Sequence, residues 1–298
     1  MSIKTSNARP QKQDKSTAYE VRPEQSVDLL KALHILTPDG KLNQDSRRKL
    51  KQVYHLFHFI EPLLENLRTT QNRLCIVDHG AGKSYLGFIL YDLFFKPHAL
   101  SPEEGHIFSI ETRQTLVEHA QALAEKAHFT GMSFLNLSVA DSITDPALPG
   151  RVDMVTALHA CNTATDDAIR FALAKQAEHI VLVPCCQAEV AAVLKQNKAQ
   201  QMKNPLSEIW RHPIHTREFG SQLTNALRCL QLEAHGYQVS VTELVGWEHS
   251  LKNELIIASR RPGHPPTQHH AERLKALLTT LGLNELEARF FTPHAPLC

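Results

Sequence analysis

Two glycines spaced two apart, Gly80 and Gly82, sit in the run Val77-Asp78-His79-Gly80-Ala81-Gly82-Lys83-Ser84-Tyr85-Leu86-Gly87. A short apolar stretch precedes this run and a helical pattern follows it. Glycines at such a junction let backbone approach a ligand closely, and a helix N-terminus favours anionic or polar groups. Further along, Glu111 ends the apolar run HIFSIE and Asp141 follows MSFLNLS. His159 and Cys161 close a fourth apolar run, and Cys185 and Cys186 close a fifth. Carboxylates, an imidazole and thiols at the ends of apolar runs are the raw material for ligand binding, proton transfer, covalent catalysis or metal coordination.

Three nucleotide-site patterns compete for the glycine run. A phosphate-binding G-x-x-x-x-G-K-[ST] loop matches at Gly82-Lys83-Ser84, but Val77 stands where its leading glycine belongs. A dinucleotide G-x-G-x-x-G loop fails at Tyr85. The acidic-x-G-x-G loop of S-adenosylmethionine-dependent methyltransferases matches at Asp78, Gly80 and Gly82, with Ser84 replacing a frequent third glycine. Glu111 then stands where an acid accepts both ribose hydroxyls, and Asp141 where an acid reaches an adenine amino group. Three acids after three successive strands make one coherent cofactor site; the competing reading is three ordinary strand-end acids. Lys83 and His159 complete the candidate cofactor contacts.

The histidine and thiols leave several readings open. His159 with Cys161, Cys185 and Cys186 is a complete zinc ligand set, but the spacing matches no compact zinc motif, and no metal is expected. Cys161 or Cys185 is a candidate nucleophile, because RNA cytosine-5 methyltransferases place cysteines after the same two strands. His159 is a candidate general base or substrate anchor. The plain alternative is that the small thiols pack beneath the cofactor and His159 caps a turn.

The elements that must position these groups follow from hydrophobic spacing. From Arg73 onward, short apolar runs at 74–80, 106–111, 132–138, 152–159, 179–186, 237–245 and 254–260 alternate with helical patterns near 84–95, 113–128, 164–177, 187–202 and 218–235. That alternation predicts an α/β fold with a mostly parallel, doubly wound sheet. The last two runs are joined by so few residues that they predict an antiparallel pair. Ahead of the sheet, Ser26 caps a short helix to Leu36, and residues 43–68 form the longest helical pattern, with Pro62 expected to kink it or start a new helix. The expected organisation is a disordered polar tail at 1–24, a helical region at 25–72, a catalytic domain at 73–260, and a Pro-rich linker with a final helix at 261–298.

Substrate-side candidates cluster in Trp210–Ser221, read as a loop over the fifth strand. Arg211, His215 and Arg217 there are suited to phosphate and base contacts, and Asn225 and Arg228 continue a polar helix face. His249, Lys252 and Asn253 border the same edge, and Arg47, Arg48, Lys49 and Lys51 form a basic cluster on the long N-terminal helix.

The 298 residues are 42% hydrophobic and 21% charged, which suits a globular protein with a sizeable core. No apolar run approaches the length of a membrane helix. The first residues lack the apolar core of a secretory signal, so a cytoplasmic location with reduced thiols is expected. Net charge is +1, but residues 1–73 hold 13 Lys and Arg against 8 Asp and Glu. A basic leading segment on a mildly acidic body suits a polyanionic partner.

Together, VDHGAGKSYLG, HAC-x-TATDDAI and the PCC run resemble a branch of class I methyltransferases. That branch includes bacterial proteins described only as S-adenosylmethionine-dependent methyltransferases and eukaryotic methyltransferase-like proteins once named for an rRNA adenine dimethylase domain. The chain is more distantly similar to tRNA 2′-O-methyltransferases of the acceptor stem, which carry H-x-C-G-x-x-T-D and Cys-Cys-His runs. The resemblance covers roughly residues 53–258. It implies a Rossmann-like seven-stranded sheet with an antiparallel last strand, S-adenosylmethionine bound by Asp78, Gly80, Gly82, Glu111 and Asp141, and an RNA substrate, tRNA or rRNA. Asn162 replaces a frequent glycine and Gln187 a frequent histidine. The Lys-Asp-Lys-Glu tetrad of many 2′-O-methyltransferases has no assignable counterpart, and N-P-P-[FY] is absent. The alternatives are methylation of a protein or small molecule, or a non-catalytic RNA-binding module on a cofactor fold.

Overall fold

A computed structural model describes residues 20–158, 162–185, 187–197, 205–244, 254–260, 263 and 268–291. Its centre is a seven-stranded sheet of β1 (Leu74–His79), β2 (Gly105–Glu111), β3 (Met132–Asn136), β4 (Met154–Leu158), β5 (His179–Val183), β6 (Tyr237–Glu243) and β7 (Glu254–Arg260). The spatial order is β3-β2-β1-β4-β5-β7-β6. Strands β1 to β5 pair in parallel, and β7 runs antiparallel to both β5 and β6. This is a Rossmann-like seven-stranded sheet, mostly parallel with an antiparallel last strand. The strands β1 and β5 are buried on both faces, which is why they read as unbroken apolar runs rather than alternating ones.

Helices α1 (Val27–Ala32) and α2 (Gln44–Thr70) precede the sheet. Ser26 caps α1 by accepting from the Leu29 N–H at 3.2 Å. Pro62 lies inside an uninterrupted α2. Buried Leu50, Val53, Phe57, Ile60 and Leu64 of α2 join Leu29 and Leu30 of α1 in one apolar core with Leu74 and Ile76 of β1. The N-terminal helices are thus built onto the sheet's own core. Val21 and Arg22, expected in the polar tail, also pack here, with the Arg22 guanidinium 5.1 Å from the Tyr54 ring centre.

After β1, α3 (Tyr85–Leu90) continues into a π-helical turn at 91–95. Then α4 (Gln114–Lys126), α5 (Val139–Thr144), α6 (Thr163–Ala174), α7 (Glu189–Gln196) and α8 (Pro213–Ala234) alternate with the strands. A final helix, α9 (Gln268–Thr280), and the short α10 (Glu287–Phe290) bury Leu274, Leu278 and Phe290 against Val190 and Leu194 of α7 and Leu223 and Leu227 of α8. Trp210 stacks on Phe219 beside this cluster, 4.8 Å between ring centres. Proline at the first position of α8 starts that helix five residues earlier than expected. His215 and Arg217 consequently stand on a helix, not in a loop.

Candidate functional site

The carboxyl ends of β1 and β2 meet at the glycine loop, the place where parallel sheets bind ligands. Gly80 and Gly82 both adopt positive φ, +66° and +60°, a backbone conformation that glycine takes without strain. Ala81 donates its N–H to the Ile110 carbonyl at 2.9 Å, and the Gly82 N–H donates to Glu111 Oε2 at 2.8 Å. Ser84, also at positive φ, sets its buried hydroxyl 2.5 Å from that of Ser109. The serine that replaces a third glycine therefore ties the start of α3 to β2.

The two acids flanking this loop are in opposite electrostatic states. Asp78 is 1% exposed and accepts from Thr156 Oγ1 at 2.9 Å. Burial pushes its carboxyl up to about 7, only partly offset by that hydrogen bond and one from the Gly87 backbone. Glu111 is also largely buried, which by itself would raise it. Its bonds from the Arg113 side chain and backbone, with the Gly82 N–H, overcome this and hold the carboxyl at about 2. Asp78 is thus a buried carboxyl with no cationic partner among the described residues, and Glu111 is held as an anion by Arg113 and the Gly82 N–H. Beside Asp78, burial depresses His79 to about 4. Its ring packs on Phe171 at 5.2 Å, and its two nitrogens meet no hydrogen-bond partner among the described residues.

Two cavities share Gly80 and Arg113. The first, about 470 Å³, is lined by Glu111, His79, Ile110, Leu137, Val139 and Ala164. It offers apolar walls for a flat ring and a carboxylate for hydroxyl groups. The second, about 480 Å³, opens over Asp78, Gly82 and Lys83 and reaches Leu158 and Val183 at the ends of β4 and β5. Leu33, Lys49, Gln52, Val53 and Leu56 of the N-terminal helices wall it. Lys49, which pairs with Asp45 at 2.8 Å, Lys83, and Arg113, which pairs with Glu111 at 2.9 Å, place three cationic side chains on its lining beside Asp78, Gln52 and several apolar residues.

These cavities fit S-adenosylmethionine by the chemistry of their donors. A buried carboxylate lacking positive charge suits an ammonium group, and a fixed carboxylate in an apolar slot suits a ribose next to an adenine. Asp78, Gly80, Gly82, Lys83 and Glu111 all line one cavity or the other.

Other expected site residues stand elsewhere. Asp141 is exposed, lines neither cavity, and takes the Ser138 hydroxyl at 2.5 Å in the first turn of α5. Arg228 and Asn225, expected to grip substrate, are buried. Arg228 forms a bidentate pair with Asp166 at 2.7 and 2.9 Å, and Asn225 bonds Gln187 and Glu254. Their polar groups are spent inside the protein, and that corrects the expectation. Arg211 pairs with Glu208 and Arg217 with Glu218 on the surface; with His215 they are exposed and line neither cavity. Cys185 is half-buried just beyond β5 and lines neither cavity. His159, Cys161, Cys186, His249, Lys252 and Asn253 lie outside the described residues. Among those described, no cluster of three or more His, Cys, Asp or Glu is placed to hold a metal.

Reading the sequence alone missed Thr156, Arg113 and the α1–α2 wall. Thr156 is the β4 residue in register with Asp78, a pairing invisible before the strands are assembled. Arg113 carried a weak local signal, a guanidinium two residues past an acid.

Residues 48–193 match the protein family described as "Methyltransferase domain". The fold and this match together support a methyltransferase. A curated relative, a glutathione S-transferase C-terminal domain-containing protein of Bos taurus, is 24% identical over 74% of this chain. The chain spans about a third of that relative's length, 34%. Similar solved structures include an rRNA methylase from Streptococcus thermophilus (7% identity, 69% of this chain and 96% of that one, TM-score 0.42). The N-terminal domain of human METTL16, crystallised with SAH, aligns at 11% identity over 78% of each chain, TM-score 0.43. A precorrin-6y C5,15-methyltransferase from Geobacter metallireducens aligns at 19% identity over 68% of this chain and 88% of that one, TM-score 0.39. Among the described residues no helix is long and apolar enough to cross a membrane.

Proposed function

We propose that this chain is an S-adenosylmethionine-dependent methyltransferase acting on RNA. The observation that carries the cofactor assignment is the glycine loop, with Gly80 and Gly82 at positive φ, set between one cavity lined by Asp78 and an adjoining one lined by Glu111. Asp78 would take the ammonium end of the cofactor. Glu111 would take the ribose hydroxyls, and Ile110, Leu137, Val139 and Ala164 would sandwich the adenine. When bound, the cofactor supplies an activated methyl group on a sulfonium.

The chain's own contribution is proximity and orientation, which is the larger part of catalysis when the donor is already activated. The loop fixes the donor end, and the cavity over Asp78 receives the acceptor. Its apolar walls Val53, Leu56, Leu158 and Val183 suit an unstacked base, while Lys49, Lys83 and Arg113 suit the adjoining phosphates. Exposed Arg47, Arg48 and Lys51 extend the same basic stretch of α2. This convergence of cations on an apolar cavity supports RNA over a neutral small molecule.

The test is transfer of radiolabelled methyl from S-adenosylmethionine into a lysate of cells lacking the gene. The products are then split between RNase and protease. Label lost to RNase is expected, with nucleoside analysis naming the acceptor atom. Label lost only to protease keeps methyl transfer and rejects RNA. No label alongside measurable cofactor binding rejects the RNA methyltransferase.

A further inference from the structure

A buried polar network joins the segments following β4 and β5 to the C-terminal part of the chain. Its hub is Arg228, fully buried on α8. A guanidinium is costly to bury and persists only when its N–H groups are matched. Here Nε and Nη2 donate to the two Asp166 oxygens, Nη1 donates to Asn225 Oδ1 at 3.2 Å, and Nη2 also donates to the Asn162 carbonyl at 2.9 Å.

Asn162 is the residue this network constrains. Its backbone stands at φ 48°, ψ −119°, a strained combination for a residue with a Cβ, and such residues persist only where surroundings over-determine them. Two bonds do so: the Arg228 bond to its carbonyl, and the Ala188 N–H bond to its side-chain Oδ1 at 3.2 Å. Asn162 therefore stitches the start of α6 to the segment that follows β5, at the sheet edge where ligands bind.

The C-terminal segment closes this network from outside. Arg289 of α10 donates through Nη2 to Glu189 Oε1 at 2.6 Å, and its Nη1 stands 3.6 Å from Asp166 Oδ2. One side chain thus clamps the first turns of both α6 and α7. Leu274, Leu278 and Phe290 hold its backbone in place.

The geometry points to Arg289 and Arg228 as positioning residues for the acceptor side, making residues 268–291 a working part of the transferase site rather than an appendage. This rests on the methyl-transfer reading. Neither residue lines either cavity; they act on the segments that follow β4 and β5, whose last residues Leu158 and Val183 line the cavity that would receive the acceptor.

The experiment uses the full chain with Arg289→Met and Arg289→Lys, chosen because Arg289 is partly exposed and its loss spares the buried core. Three quantities are measured: hydrogen exchange of residues 162–166 and 187–190, SAH affinity by calorimetry, and methyl transfer to the RNA acceptor. For Arg289→Met, exchange at both segments rises while that of β1 stays unchanged. SAH affinity falls a few-fold at most, because Ala164 of the loosened turn also walls the ring slot, and kcat falls about tenfold or more, as expected when reacting groups are misplaced slightly. Arg289→Lys, which retains the charge, restores most of both. Unchanged exchange at 162–166 overturns the clamp. Faster exchange with unchanged kcat overturns the positioning role. Should the wild type transfer no methyl, the methyl-transfer reading fails and the positioning role with it, while the exchange data still decide the clamp.

Discussion

The Gly82 backbone N–H donates to the carboxylate of Glu111, 29 residues along the chain, at 2.8 Å. The glycine loop after the first strand is therefore anchored by the acid that ends the second strand. Asp78 occupies the same loop's entrance but bonds Thr156 on β4. The loop's shape and the proposed ribose contact depend on one carboxylate.

Glu111→Gln tests that dependence. The variant keeps the size but loses the anion that accepts from Gly82 and Arg113. Loss of a charge-assisted bond is worth about 2 kcal/mol, or ~30-fold in SAH affinity. Calorimetry showing affinity within a factor of about three of wild type would remove Glu111 from the site.

Gly82→Ala separates folding from binding. Among the described residues a Cβ at Gly82 would meet nothing closer than Arg113 Nη2 at 3.9 Å, so the fold loses only the backbone cost of φ +60°. That cost is about 1–2 kcal/mol. SAH affinity is expected to fall well beyond this, because a ligand on the loop would occupy the space the methyl fills. Equal losses in stability and affinity would show that no ligand approaches the loop closely.

Asp78 and His79 give opposite pH signatures. The folded Asp78 carboxyl is raised to about 7 by burial, so between about 4 and 7 the folded state holds a proton the unfolded chain has released. Stability from this group is present at low pH and lost as pH rises through that window. His79, depressed to about 4 by burial, works the other way: the unfolded chain binds the proton first, and stability is lost as pH falls from about 6.5 to 4. Asp78→Asn should therefore gain ligand-free stability relative to wild type between pH 5 and pH 8 in urea unfolding. Bound SAH should shrink the gain. Parallel pH curves for the two proteins would contradict the buried, charge-short carboxyl.

Lys49 and Lys83 should act as phosphate contacts. Replacing either with Gln is expected to flatten the slope of log affinity against log salt by about 0.7 for single-stranded RNA, with little change in SAH binding. An unaltered slope would place the RNA elsewhere.

Much of the fold was legible because its signals are local. Apolar runs and helical spacing located every strand and most helices, and Ser26 marked its cap correctly. The long helix ran through Pro62 because its Leu64 and Leu67 continue the buried face beyond the proline. The glycine loop and Glu111 were readable because backbone freedom and a strand-end acid are properties of short stretches. Asp141 stands exposed in the first turn of α5, where the hydroxyl of Ser138 donates to its carboxylate, a local interaction that strand-end position alone does not show.

By itself, then, the chain's residue order determined which segments become strands and helices, and which residues reach the sheet's carboxyl edge. Hydrophobic period and glycine conformational freedom act over a few residues and need no partner. Tertiary structure alone decided what those residues face. Arg228 looks like a substrate contact until Asp166, 62 residues away, pairs with it inside the protein. Lys49 looks like a solvated helix face until α2 packs beside the glycine loop and places it on a cavity. Burial and charge pairing are set by distant neighbours, and only the assembled core brings those neighbours within reach.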